Sequence, residues 1–231
     1  MSARYAIYCS PAVASPWWEF GSHWLGRDAQ HDADLPPPTL AHIDAATLRG
    51  ITALPRRYGF HATLKAPFAL SEGHTLADLR ARMQALARTL TPLALGPLHA
   101  TTLGDFVALV PTTPTEALAQ LAAACVTDLD DLRQPLSAAD LARRNAERLD
   151  ARGRELLQRY GYPHVLERFR LHFTLTGAVE PSVARRVMLA VEDSVARLNA
   201  SAPLVLDRLC LFVEPAPGQA FKHIADAELG A

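Results

Sequence analysis

Lysine is scarce in this chain: of 23 basic residues only Lys65 and Lys222 are lysines, and the others are arginines. An Arg-, Ala- and Leu-rich composition accounts for the shortage, but not for one surviving lysine standing four residues after His61. Cysteine is scarce as well. Cys9, Cys125 and Cys210 are far apart and odd in number, which argues against a disulfide framework and against a zinc ribbon. Cys9 and Cys210 sit in apolar, strand-like runs where core packing is the default. A surplus of charge is missing: the net charge is −1, whereas sequence-independent binding to long nucleic acid rests on several cation–phosphate contacts. A local basic cleft remains compatible with that total. No run approaches the roughly 18 apolar residues of a membrane-spanning helix, and the N-terminus has no basic stretch followed by an apolar one. A cytoplasmic location with no membrane partner is therefore expected. Neither His-x-x-x-His, His-x-Asp nor Cys-x-x-Cys falls near the motifs described next, so no metal and no cofactor are expected there.

What is present is ordinary bulk and one unusual pattern. With 231 residues, 49% hydrophobic and 20% charged, the chain can bury a sizeable core. The pattern lies in Arg57-Tyr58-Gly59-Phe60-His61-Ala62-Thr63-Leu64-Lys65 and its echo, Arg168-Phe169-Arg170-Leu171-His172-Phe173-Thr174-Leu175-Thr176. Each alternates polar and apolar residues and carries His-x-Thr. Residues two apart on a strand share a face. The alternation predicts Arg57, Gly59, His61, Thr63 and Lys65 on one polar face, and Arg168, Arg170, His172, Thr174 and Thr176 on the other. Tyr58, Phe60, Ala62 and Leu64, with Phe169, Leu171, Phe173 and Leu175, then face a core.

The remaining chain is organised around these two stretches. Residues 4–9 read as a first strand, from which Tyr8 either reaches the cleft or packs. Residues 10–38 are irregular and hold Trp17, Trp18 and Trp24, with a short helix near 17–25 and another within 39–53. Thr75 caps a helix over 75–91 whose Leu76, Leu79, Met83, Leu86 and Leu90 recur at helical spacing. Strands at 93–100 and 105–110 and a helix at 113–126 follow. The segment 127–163 is charged, and Ser137 with Asp140 forms a plausible capping box for a helix over about 138–159. After the second motif come a helix at 181–199 and strands at 203–213 and 219–225. The expected fold is α+β: one two-lobed, pseudo-twofold domain, with antiparallel sheets lining a central cleft and helices outside. Its first lobe covers about 1–126, a helical connector or insertion 127–163, and its second lobe about 164–231.

Two histidines on facing strands suit general acid–base catalysis, because imidazole titrates near pH 6.5 and can serve as neutral acceptor or charged donor. A threonine two residues on lies about 6–7 Å along the same face, where its hydroxyl can hold an oxyanion. Imidazoles, hydroxyls and cations without a carboxylate suit a phosphoryl group better than a carbonyl.

His61-Ala62-Thr63 and His172-Phe173-Thr174 lie 172 − 61 = 111 positions apart, one per expected lobe. With Tyr58–Phe68, Trp24-Leu25-Gly26-Arg27-Asp28 and Gly161-Tyr162-Pro163, they make the chain resemble the two-histidine (2H) phosphoesterase superfamily, in a bacterial branch associated with phosphonate metabolism. The resemblance implies a metal-independent phosphodiesterase acting on a small cyclic phosphate or nucleotide-like phosphodiester. It implies His61, Thr63, His172 and Thr174 as catalytic residues, with base and acid unassigned between the histidines. Lys65, Arg170, Thr176 and Tyr8 are the candidate substrate-binding residues. The expected partner is a small phosphorylated substrate. The alternatives are a non-catalytic module that holds RNA ends or a phosphometabolite in the same cleft, and a ligase running the chemistry in reverse.

Overall fold

The computed structural model describes residues 3–144 and 146–231. In chain order it contains β1 (Arg4–Cys9), α1 (Pro16–Leu25), β2 (Arg27–Asp28), β3 (Ala33–Asp34), α2 (Ala45–Ile51), α3 (Ala53–Arg56), β4 (Ala62–Phe68), α4 (Leu76–Thr89), β5 (Leu93–Ala94), β6 (Leu98–Leu103), β7 (Phe106–Pro111), α5 (Glu116–Thr127), α6 (Ala138–Arg143), α7 (Ala151–Tyr160), β8 (Phe173–Thr174), α8 (Pro181–Ser201), β9 (Val205–Leu206), β10 (Arg208–Glu214) and β11 (Lys222–Glu228). Local chemistry explains most helix boundaries. Thr75 caps α4 and exchanges hydrogen bonds with Asp78 in a complete capping box, while Leu79, Met83 and Leu86 turn inward. Ser137 and Asp140 do the same at α6. Gly26 and Gly161 end α1 and α7 in the left-handed conformation.

The fold is α+β, with antiparallel pairing throughout. The first sheet has the order β11-β10-β1-β4 and the second β6-β7-β8, with small ladders β2-β3 and β5-β9 beside them. Helix α4 lies on β10 and β11, α8 on β6 and β7, and α5 against β4. One continuous core joins the inner faces of both sheets and includes Ile7, Leu64, Leu109, Phe173, Leu175 and Leu211.

The halves of the chain are interleaved rather than consecutive. β10 and β11, from the region expected in the second lobe, sit beside β1 in the sheet of His61. β6 and β7, expected in the first lobe, pair with the strand of the second motif. Pairing follows which apolar faces and free strand edges meet, and chain order does not decide that.

Both motif strands are shorter than the alternation predicts. Helix α3 runs to Arg56, and Gly59 turns the chain with φ +76° before the ladder begins at Ala62. A side chain at Gly59 would also place its Cβ 2.6 Å from Ala29. The second ladder is only Phe173–Thr174, preceded by a 3-10 turn at Leu166–Arg168. It stops early because the Val107 N–H donates to Thr176 Oγ1 instead of a backbone carbonyl, while the Leu175 and Thr176 N–H groups both donate to Val107 O. The expected single helix over 138–159 is α6, a 3-10 turn at Ala146–Arg148, and then α7, restarted by Asp150 accepting from the Gly153 N–H. Asn145 lies outside the described residues.

Candidate functional site

A cavity of about 1150 Å³ lies where the two sheets and the 133–162 segment meet. Tyr8, His61 and Thr63 line it from the first sheet, and Phe106, Thr174 and Thr176 from the second. The motifs are held together behind it: the rings of Phe60 and Phe173, adjacent to His61 and His172, stack at 5.1 Å. Helix α1 supports the pair. A Cβ at Gly21 would lie 2.0 Å from the Phe60 ring, and the Trp24 indole N–H donates to Leu175 O.

The two histidines are fixed in the same way. His61 Nδ1 is 2.9 Å from Gly59 O, and His172 Nδ1 is 2.8 Å from Arg170 O. A carbonyl only accepts, so Nδ1 carries the proton in each ring and Nε2 is left for chemistry. Thr63 Oγ1 is 3.4 Å from His61 Nε2. His61 stacks on Tyr8 with centroids 3.8 Å apart. Burial, with a smaller contribution from the charge of His172, lowers its pKa to about 4 against the opposing pull of the Gly59 carbonyl. His172 has its ring 5.8 Å from that of Phe106. It is not among the residues lining the cavity, although Phe106 is.

Several expected binding residues stand elsewhere. Lys65 is buried, with Nζ donating to Val126 O at 2.9 Å and to Asp130 Oδ1 at 3.2 Å. The cause is a bulge in β4. Tyr8 pairs with Thr63 but Ile7 pairs with Lys65, so Leu64 is an extra residue and the alternation slips. Lys65 thus shares the core face of Ile7, not the cavity face of His61 and Thr63. Burial lowers the pKa of its ammonium and Asp130 opposes the shift. Arg170 is exposed and does not line the cavity; its carbonyl, not its guanidinium, serves the site by orienting His172. Thr176 borders the cavity, but its fully buried hydroxyl accepts from the Val107 N–H. Tyr8 does line the cavity and also packs against Phe212 and Phe221.

Sequence reasoning missed the third wall. Arg133, Ser137, Asp140, Arg144, Tyr160 and Tyr162 of the supposed connector all face the cavity. Arg4 and Tyr58, which the alternation assigned to no role and to the core, line it too. The available signal was the Gly161-Tyr162-Pro163 string, whose tyrosine reaches the site once Gly161 ends α7. Two cations that line the cavity share carboxylates with cations that do not: Arg4 and Arg57 both pair with buried Glu214, and Arg133 and Lys65 both pair with Asp130. Arg4, Arg133 and Arg144 line the cavity together with Asp105 and Asp140.

Among the described residues, Cys210, His223 and Asp226 form the one group of three donors close enough to hold a metal ion. They lie on the first sheet, beyond Phe212 as seen from His61. No described helix is long and apolar enough to cross a membrane.

Comparison with known proteins follows the whole chain. It is 39% identical over 221 residues to "Ribose 1,5-bisphosphate phosphokinase PhnN" of Janthinobacterium sp. (strain Marseille), covering 94% of this chain and 49% of that protein. It is 38% identical over 223 residues to the protein of the same name from Laribacter hongkongensis (strain HLHK9), covering 95% and 50%. The chain spans about half the length of the curated relatives it matches. The model of the family described as "Protein of unknown function (DUF1045)" matches residues 63–222, well over half of the chain and inclusive of Thr63, His172 and Thr174, and the chain belongs to that family.

Proposed function

We propose that this chain is a phosphodiesterase of the two-histidine type, hydrolysing a small cyclic phosphate or nucleotide-like phosphodiester without a catalytic metal. The observation that carries this reading is the matched pair of hydrogen bonds, His61 Nδ1 to Gly59 O and His172 Nδ1 to Arg170 O. In each motif Nε2 is left to exchange a proton, with a threonine two residues on. The desolvation of His61 favours one assignment of base and acid. His61, kept neutral by burial, is the base: its Nε2 takes a proton from water as the water oxygen attacks phosphorus. His172 is the acid in its doubly protonated form: with Nδ1–H donating to the Arg170 carbonyl, its Nε2–H protonates the leaving alkoxide as the ester P–O bond breaks. Thr63 and Thr174 hydrogen-bond the non-bridging oxygens as negative charge builds on them. The wall formed by Arg133, Arg144, Tyr160 and Tyr162 contacts the rest of the substrate.

The relatives bear a kinase name, which is the second reading. Phosphoryl transfer from a nucleotide commonly uses Gly-x-x-x-x-Gly-Lys-Ser/Thr. Neither lysine here stands in that sequence, since Lys65 follows Leu64 and Lys222 follows Phe221. We infer that the kinase activity belongs to the part of the relatives outside the match. This chain would then serve the same phosphonate or ribose-phosphate metabolism by opening a cyclic ribose phosphate to a phosphomonoester.

The test is a screen of cyclic phosphates of ribose and of nucleosides, with metal-stripped protein shown to be folded by circular dichroism. Hydrolysis is expected to persist, and His61→Ala or His172→Ala to lower kcat roughly a hundred- to ten-thousand-fold with the fold intact. Activity surviving in the double variant sinks the mechanism. Transfer of phosphate from ATP to ribose 1,5-bisphosphate by this chain would favour the kinase reading.

A further inference from the structure

Three side chains on the neighbouring strands β10 and β11 of the first sheet use neither the cavity nor the paired histidines. Cys210 is on β10, and His223 and Asp226 are on β11. Cys210 and Asp226 are directly opposed in the ladder and so project to one face. His223 stands three residues before Asp226, an odd separation that would place it on the opposite face of a regular strand. A bulge corrects this. Leu211 pairs with Ala225 but Phe212 pairs with His223, so Ile224 is the extra residue. Ile224 and Ala225 both pack on the main core, and His223 returns to the side of Cys210 and Asp226. A bulge re-aims a side chain at some loss of pairing. Here the side chain it re-aims is the imidazole.

We infer that Cys210, His223 and Asp226 form a zinc-type metal site. Their donor atoms all lie within 4.8 Å of one another, and His223 Nε2 is 2.6 Å from Asp226 Oδ1. Bonds of about 2.0–2.3 Å to a tetrahedral zinc ion put donors some 3.3–3.8 Å apart, so side-chain rotations of about an ångström suffice. Thiolate, imidazole and carboxylate together suit zinc or cobalt rather than magnesium or calcium. The charges also balance: a thiolate and a carboxylate neutralise a divalent ion, while the imidazole stays neutral and the thiol proton is released to solvent.

The surroundings hold the ligands in place. The His223 ring lies flat on Phe212 at 4.8 Å and 2°. Arg208, bound to Asp207, has Nη1 3.9 Å from Asp226 Oδ2, where it can orient the carboxylate from outside. Cys210 is fully buried, the His223 side chain is 9% exposed and that of Asp226 34%, so the fourth position opens toward water. The ion would fasten β11, an edge strand, to β10. Its effect would reach His61 only through Phe212, whose ring is 6.3 Å from that imidazole. The site is separate from the cavity, and it stands whether or not the paired histidines are catalytic.

The experiment is cobalt and zinc loading of the full chain after chelation. One equivalent of cobalt is expected, with a thiolate-to-metal charge-transfer band in the near ultraviolet, and zinc should raise the melting temperature. Cys210→Ser should abolish the band, and His223→Ala should weaken binding about tenfold or more. Cys9 and Cys125 are buried elsewhere, so the band reports on Cys210. Asp226→Asn provides a second route if the serine variant folds poorly, and it should also weaken binding. Absence of stoichiometric binding, or a band that persists in Cys210→Ser, overturns the site and identifies the group as a hydrogen-bonded His–Asp pair beside a packed thiol.

Discussion

At the scale of single residues, the proposed mechanism turns on two imidazoles with the same tautomer. His61 stacks on Tyr8 and is held near a pKa of about 4, mainly by desolvation. A base works only when unprotonated, so activity should fall as pH drops through that value and not through 6.5. The acid limb of kcat/KM against pH measures this; a limb at 6.5 or above would remove His61 from the role of base. Lys65 is the opposite lesson. Its position in the sequence suggests a phosphate ligand, whereas its Nζ is spent on Val126 and Asp130 inside the protein. Lys65→Ala should cost about 2–4 kcal/mol of stability, because it empties a buried site and breaks a buried pair. Urea titration would read the loss. The substrate KM should be nearly unaffected, and a large rise in KM with unchanged stability would return Lys65 to the cavity.

At the scale of elements, helix α1 is the unexpected support of the site. Gly21 lets it approach so closely that an added Cβ would sit 2.0 Å from the Phe60 ring. Phe60 precedes His61 and stacks on Phe173, which follows His172. Gly21→Ala should therefore disturb both motifs from a helix that carries neither histidine. The expected outcome is about 1–3 kcal/mol of overpacking strain together with a fall in kcat of about tenfold or more. Loss of stability with kcat intact would show that the helix braces only the core. Helix spacing, caps and the Ser137–Asp140 box were legible in the sequence because they are local. The bulges at Leu64 and Ile224 were not. A one-residue slip in register is decided by the partner strand, so strict alternation misplaced Lys65 and hid the shared face of Cys210, His223 and Asp226.

At the scale of the whole molecule, the interleaving of the sheets has a measurable consequence. β1 lies between β10 and β4, so residues 1–126 lack a central partner for their first sheet. Expressed alone, that fragment should remain unfolded by circular dichroism and hydrogen exchange; independent folding would restore consecutive lobes. The same topology turns the charged 127–163 segment from a connector into the third wall of the cavity. By itself the sequence determined the α+β class and the main helices, and it singled out His61-Ala62-Thr63 and His172-Phe173-Thr174 as matching motifs, because apolar spacing and short motifs are properties of neighbouring residues. The tertiary structure alone decided that Lys65 and the Arg170 side chain leave the cavity, that Arg4, Tyr58, Arg144 and Tyr162 enter it, and that His61 lines it while His172 does not. Register, burial and the meeting of distant strands depend on what packs opposite each residue, and that partner is remote in the chain.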